Sequence, residues 1–402
     1  MKQILYRGLL TVALFFLFGT AAVAQTPRRS MLWDGIQREY LMHIPTQHAA
    51  DEPLPVLCFL HGMGGDISRY DSWYDLQAVS DRYGWIIVLP QALPCSIEYM
   101  GYPFDLGSTW NAGLEASLGE LHYALNPDID DAGFLMALFD TIDSQYTVDR
   151  DSLFISGISM GGFMTHRMAI EHGDRIAGFC AINGLIALPL IDHQPVAPVN
   201  MMQIHGTDDE TVTYDGYIPL PLVGSIKIGL SVDSVVDYWV GHNHCNTTPT
   251  VDSLPDRIDD GMRFIRYTYD GGENSTQVQF IKVIGGQHEW YADDQLYDVD
   301  YMVEMHDFFS GHQPHYNAIP EVQNSEFTIQ IFPNPATDHV TVSGLSEGTT
   351  VYLYNMTGRK ISTYNIHHSS FKIDLSGLPS GLYLLRTSDG FTQKINIISN
   401  HE

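Results

Sequence analysis

Three groups of residues have the types and spacing needed for nucleophilic chemistry. The first is Gly157-Ile158-Ser159-Met160-Gly161-Gly162, a serine flanked by glycines. A serine hydroxyl is a poor nucleophile at neutral pH. It needs a base to take its proton, and the base needs an acid partner to hold its tautomer. His288, in Gly285-Gly286-Gln287-His288-Glu289-Trp290, is the candidate base. Asp208 and Asp209, after His205-Gly206-Thr207, compete for the acid role. An oxyanion formed at the attacked carbonyl needs N–H donors. Met160 N–H, at a helix start just after the serine, is one. Met63 N–H, in the glycine-rich His61-Gly62-Met63-Gly64-Gly65-Asp66, is the other.

Other polar clusters point to less. His61 and His205 lie before the loop tips and read as structural. His242-Asn243-His244-Cys245 fits no strong zinc spacing. Asp293, Asp294, Asp298 and Asp300 lack the calcium-loop pattern and read as a solvated charge run. No glycine loop carries a phosphate-binding lysine, so neither a metal nor an organic cofactor is expected. Cys58 and Cys180 sit in apolar runs and read as buried thiols, whereas Cys95 and Cys245 lie in loops and form the one disulfide to consider.

The elements that position these groups are legible as alternating strands and helices. Ser152 to Ser156 is a short apolar run before the serine, and Phe163 to His172 has helical spacing after it. A nucleophile between such elements sits in strained backbone, and its neighbours must lack a Cβ for strand and helix to close up. Val56 to Leu60 and Trp85 to Leu89 are unbroken apolar runs, as expected of strands buried on both faces. Arg38–Ile44, Ile176–Ile182, Val199–His205, Met262–Tyr269 and Val278–Ile284 are further strands. Helices are expected over Trp73–Tyr83, from an N-cap at Asp130, over Val232–Val240 and over Tyr301–Phe309. This alternation predicts a mostly parallel sheet with helices on both faces. Ser159, Asp209 and His288 all fall at carboxyl ends of strands, where the functional loops of such a sheet gather. Residues 91–127 read as a long loop containing Tyr99, Tyr102, Phe104 and Trp110.

The 402-residue chain is long enough for a large domain and a smaller one. With 44% hydrophobic and 17% charged residues, it can bury a real core. Its formal net charge of −28 argues against binding nucleic acid or anionic lipid headgroups. Residues 1–24 read as a signal peptide. Lys2 and Arg7 precede the apolar run Leu9–Phe18, and Ala22-Val23-Ala24 is a small-x-small cleavage site. No later segment is long and apolar enough to span a bilayer. The first folded domain is expected over 25–312, a polar linker over 313–326, and a small all-β sandwich over 327–402, where short alternating runs are separated by turns such as Thr357-Gly358 and Asp389-Gly390.

The order serine, aspartate, histidine is that of α/β hydrolases. Residues 36–312 resemble the secreted esterase family that includes polyhydroxybutyrate depolymerases and family 1 carbohydrate esterases, such as feruloyl and acetylxylan esterases. The resemblance rests on Leu60-His61-Gly62-Met63-Gly64-Gly65, Asp130-Asp131-Ala132-Gly133-Phe134-Leu135, the Ser159 and His288 stretches, and Ile204-His205-Gly206-Thr207-Asp208-Asp209. It implies an α/β-hydrolase fold and a Ser159–His288–Asp209 triad, with Asp209 rather than Asp208 as the acid. It also implies that Trp110 lines the acyl pocket. Glu210-Thr211-Val212 replaces the family's Pro-Val-Val but keeps the carboxylate. The tail resembles the type A sorting domain of the type IX secretion system, through Phe332-Pro333-Asn334-Pro335-Ala336, Tyr354-Asn355-Met356-Thr357-Gly358 and Gly381-Leu382-Tyr383. That implies passage across the outer membrane, then release or surface attachment, with the secretion machinery as partner. The expected function is a secreted serine esterase acting on plant-polysaccharide esters or a polyhydroxyalkanoate-type polyester. A serine peptidase on the same fold and a non-catalytic surface binding protein are the alternatives.

Overall fold

The computed structural model describes residues 26–311 and 330–398, apart from breaks at 50–51, 100–101, 119–120, 221–223, 292–296, 333, 335, 344–348, 356–359, 366–369 and 389–391. The expected signal peptide and linker, Asp293, Asp294 and the Thr357-Gly358 and Asp389-Gly390 turns lie outside the described residues. The chain divides into two compact units, 1–316 and 317–402.

The first unit is built on a ten-stranded sheet. Its strands are β1 (Arg29–Trp33), β2 (Ile36–His43), β3 (Leu54–Leu60), β4 (Ile86–Pro90), β5 (Val148–Ile158), β6 (Gly178–Ile182), β7 (Met201–Gly206), β8 (Thr250–Ser253), β9 (Arg263–Tyr269) and β10 (Val278–Ile284). The order across the sheet is β1-β2-β4-β3-β5-β6-β7-β10-β9-β8. From β4 to β10 every neighbouring pair is parallel. β1–β2–β4 at one edge and β10–β9–β8 at the other are antiparallel. β3, β4 and β6 are apolar throughout because both faces are covered. In β3, Val56, Cys58 and Leu60 enter one core while Leu57 and Phe59 enter the other.

Among the described residues, six α-helices supply the covering: α1 (Ile67–Tyr74), α2 (Leu76–Tyr83), α3 (Asp131–Asp143), α4 (Met160–His172), α5 (Val232–His242) and α6 (Tyr301–Gly311). α3, α4 and α5 contribute Phe134, Phe163 and Trp239 to the first core. α1, α2 and α6 contribute Ile67, Leu76 and Met305 to the second. Asp130 caps α3 as expected, its carboxylate accepting from Gly133 N.

Two differences from the sequence expectation concern local geometry. The single helix expected over Trp73–Tyr83 is two helices broken at Asp75, which has φ 43°. Asp75 tolerates this left-handed backbone and caps α2 by accepting from Ala78 N. The segment read as a loop over 91–127 contains two antiparallel hairpins, Pro94–Tyr99 with Tyr102–Ser108 and Glu115–Leu118 with Leu121–Ala124. The first has largely exposed faces, so no buried period betrays it in the sequence.

Residues between the two hairpins are held from the core. Arg38 Nη2 donates to Asp131 Oδ1 at 2.6 Å, with both side chains buried, and Asp131 Oδ2 accepts from Asn111 N at 2.7 Å. Arg167 Nη1 donates to Asn111 O at 2.6 Å. A buried ion pair offsets its own desolvation only with good geometry and further hydrogen bonds. Asp131 has the further bond from Asn111 N, but burial still raises its pKa, and among the described residues Arg38 Nε has no partner.

In the second unit, a three-stranded sheet (Gln330–Phe332, His339–Ser343, Ser370–Asp374) and a four-stranded sheet (Lys360–Asn365, Thr350–Asn355, Gly381–Thr387, Thr392–Ile397) enclose a core that includes Val340, Val342, Leu353, Ile373, Leu385 and Ile395. Every second residue of the strands points inward, which is the alternation visible in the sequence. Among the described residues, no helix of either unit is long and apolar enough to cross a membrane.

Candidate active site

Ser159 occupies a one-residue turn between the end of β5 and the start of α4, with φ 57° and ψ −121°. Such backbone is strained by roughly 1–3 kcal/mol in a non-glycine residue and persists only where its surroundings enforce it. They do so here by close approach. A Cβ on Gly157 would lie 2.4 Å from the Gly161 carbonyl carbon, and one on Gly161 would lie 2.1 Å from Leu60 O. Ser159 N donates to Ile182 O at 2.8 Å, tying the turn to the end of β6. Met160 is the first residue of α4, so its N–H has no intrahelical acceptor and lies at the positive end of the helix dipole.

Asp209 and His288, 79 residues apart, meet at the ends of β7 and β10. His288 Nδ1 and Asp209 Oδ2 are 2.6 Å apart. The other carboxylate oxygen accepts from Thr211 N and Val212 N, each at 2.8 Å. The Asp209 carboxylate is thus buried yet fully engaged, and it leaves one face to orient the imidazole. Asp208, its neighbour, is exposed and accepts from Thr207 Oγ1 at 2.8 Å. The two loops are stitched together by Asp208 N to Gly286 O at 3.0 Å and Gly285 N to Thr207 Oγ1 at 2.9 Å. Asn183 Nδ2 donates to Glu289 O at 3.1 Å, linking the His288 loop to the strand end that holds Ser159 N. The sequence reading did not single out Asn183. Its place one residue after an apolar strand was the available signal.

Met63 projects from the loop after β3 and is 40% exposed. Among the described residues its N–H has no acceptor, whereas the next amide, Gly64 N, donates to Ser108 O at 2.8 Å. His61 anchors the loop from below. Its Nδ1–H donates to Gly62 O at 2.7 Å and its Nε2 accepts from Ala92 N at 3.1 Å. Trp110 corrects an expectation. Its indole is fully buried against His61 and donates from Nε1 to His61 O at 2.9 Å. Without an exposed face it cannot line an acyl pocket; it supports the Met63 loop instead.

The histidines divide by burial. His205 is fully buried, donating from Nε2 to Val212 O at 2.9 Å. His166 is buried between Gln203 Oε1 and the Trp239 indole N–H. Burial lowers the pKa of His61, His166 and His205 to about 4 in each case. In the unfolded chain these imidazoles titrate near 6.5. Between those values the unfolded state binds more protons, so stability falls as pH falls through the window from 6.5 to 4. Three such groups give a slope of up to about 4 kcal/mol per pH unit. The urea midpoint is expected to drop steeply between pH 6.5 and 4.5, and a flat midpoint there would contradict these buried neutral states.

The remaining polar clusters are occupied by the fold. Asn243 bonds both the N–H and the carbonyl of Val199, His242 bonds Ala197 O, and His244 pairs with Glu273 at 2.9 Å on the surface. Among the described residues, no group of three or more His, Cys, Asp or Glu is arranged to hold a metal ion. All four cysteines are free and buried, so the Cys95–Cys245 pairing considered from the sequence is not made.

Comparison with known proteins gives two family matches. Residues 42–217 match the phospholipase/carboxylesterase family model, and residues 330–399 match the secretion system C-terminal sorting domain. The putative esterase NocK of Nocardia uniformis subsp. tsuyamanensis is 26% identical over 277 residues, covering 67% of this chain and 75% of that protein. A probable feruloyl esterase C of Aspergillus terreus is 25% identical over 230 residues, covering 54% of this chain and 74% of that protein. Among solved structures, an acetyl xylan esterase from Aspergillus awamori aligns with a TM-score of 0.45 and 14% identity, over 71% of this chain and 99% of its own.

Proposed function

Because residues 42–217 match the phospholipase/carboxylesterase family, on an α/β-hydrolase sheet, and residues 330–399 match a secretion-system sorting domain, we propose that the protein is an exported serine esterase with Ser159, His288 and Asp209 as its triad. The observation that carries this reading is the buried Asp209 carboxylate, 2.6 Å from His288 Nδ1 at the carboxyl ends of β7 and β10, in the same sheet whose β5 ends in the strained Ser159 turn. Asp209 keeps the Nδ1 proton on His288 and leaves Nε2 free to act as base. Ser159 Oγ attacks the ester carbonyl carbon as its proton passes to His288 Nε2. The Met63 and Met160 N–H groups hold the resulting oxyanion, each worth about 3 kcal/mol in the transition state. Collapse expels the alcohol, protonated by His288, and water then releases the acid from the acyl-enzyme by the same steps.

The substrate class we favour is an ester of plant polysaccharide, feruloyl or acetyl, over a polyester. The hairpin that bonds the Met63 loop carries exposed aromatic rings, with Tyr102 at 75% and Phe104 at 58% exposure. Such rings suit stacking on a sugar or an aryl group. The named feruloyl esterase relative supports the same class. The test is hydrolysis of methyl ferulate, acetylated xylan and a short hydroxybutyrate oligomer by the purified protein. Turnover of either of the first two above the third is expected. Preference for the oligomer reverses the substrate assignment, and inertness of a folded protein toward all three overturns the esterase reading in favour of a peptidase or a binding role.

The tail acts in delivery, through the type IX secretion machinery to the cell surface or medium. Removing residues 325–402 is expected to leave ester turnover per mole of protein unchanged while holding the protein inside the outer membrane. Cell fractionation with an activity assay reads both, and lost catalysis would make the tail part of the working enzyme.

A further inference from the structure

We propose that Tyr70 is a catalytic residue of the ester site, its phenolic O–H serving as a third donor to the oxyanion beside the Met63 and Met160 N–H groups. This rests on the serine-esterase reading above. Tyr70 lies on α1 and its Oη accepts a hydrogen bond from Gly62 N at 3.1 Å. Gly62 immediately precedes Met63 and also borders the nucleophile. The position a Cβ would take on Gly62 is 3.2 Å from Ser159 Cβ and 3.2 Å from Tyr70 Oη. The phenol oxygen and the serine therefore border the same small space, which a Cβ at position 62 would crowd.

A phenol has one proton to donate and lone pairs to accept with. Gly62 N–H occupies the acceptor side of Tyr70, and among the described residues nothing takes its proton. Accepting from an amide also polarises the O–H and makes it a better donor. Burial raises the Tyr70 pKa, so the proton is present at neutral pH and above. The ring is held in place by Tyr74 at 5.6 Å, Trp73 at 5.5 Å, His61 at 6.0 Å and Phe59 at 6.4 Å between centroids. A donor fixed in this way needs no reorganisation as charge develops on the carbonyl oxygen, the condition under which such a group is most effective.

The test compares the full-length protein with Tyr70→Phe and with 3-fluorotyrosine installed at position 70, using p-nitrophenyl acetate as the probe ester. Tyr70→Phe keeps the ring contacts and removes the hydroxyl. It is expected to lower kcat by about 10²-fold with KM within about twofold, the pattern of a contact made only in the transition state. Fluorination makes the phenol a stronger donor and a weaker acceptor. Kcat at or above that of the parent is expected if donation to the substrate matters. If Tyr70 only anchors Gly62 N–H, the fluorinated protein falls below the parent, as Phe does, and the assignment is overturned. Kcat of Tyr70→Phe within about twofold of the parent also overturns it. Ser159→Ala runs alongside. Turnover that survives this control sinks the esterase reading itself, whereas serine-dependent turnover indifferent to Tyr70 sinks only the present assignment. Thermal melts of all forms separate a loss of fold from a loss of rate.

Discussion

Ser159→Ala is expected to reduce ester turnover by about 10⁴-fold or more, to the level supplied by binding and the oxyanion donors alone. The change deletes the only atom that forms the acyl-enzyme bond, while the neighbouring donors remain. Alanine keeps a Cβ where serine has one, so the close approach of Gly62 to that carbon, the Ser159 N to Ile182 O bond and the start of α4 are undisturbed. If anything the protein becomes slightly more stable, because a polar group at a strained turn is removed. Steady-state hydrolysis with a melt on the same preparation checks both halves. Turnover within an order of magnitude of the parent, in a folded protein, would remove Ser159 from the mechanism. Labelling by an alkyl fluorophosphonate gives an independent readout: one adduct per chain on the parent, at Ser159, and none on the variant.

The second large effect distinguishes two adjacent aspartates. Asp209→Asn is expected to lower kcat about 10³- to 10⁴-fold, with little change in KM. An asparagine at 209 can still accept from Thr211 N and Val212 N through its carbonyl oxygen. Its amide nitrogen then faces His288 Nδ1, where the carboxylate oxygen stood at 2.6 Å. Two N–H groups cannot share that contact, so the imidazole must give up its Nδ1 proton and carry one on Nε2 instead. A ring protonated at Nε2 cannot take the proton of Ser159. Asp208→Asn replaces an exposed carboxylate that accepts from the Thr207 hydroxyl, and kcat is expected within about twofold of the parent. Parallel kinetics of the two variants decide the matter; a larger loss at 208 would reassign the acid.

The pair Asp208-Asp209 marks the boundary of what residue types can say. Both are aspartates after the same glycine turn, and a sequence offers no local reason for one to face inward. The choice is made by contacts from residues far away in the chain, the His288 loop and the backbone of Thr211 and Val212. Trp110 makes the same point in reverse. An aromatic residue in a polar segment is equally suited to a binding surface and to a buried support, and only its packing under His61 decides for support. Tyr70 was invisible for the same reason: nothing in Ile67–Tyr74 states that the hydroxyl reaches Gly62 N.

By itself the sequence determined what short-range sterics and burial dictate. Unbroken apolar runs marked the strands covered on both faces, 3.6-residue spacing marked the helices, and a period of two marked the tail strands. The glycines at 157 and 161 foretold a turn too tight for any Cβ nearby. The tertiary structure decided what depends on pairing across long separations. It broke the expected helix at Asp75, closed the 91–127 segment into two hairpins, and left all four cysteines unpaired. Periodicity records which side of an element is buried; which distant atom it meets there is set by the packing of the whole domain.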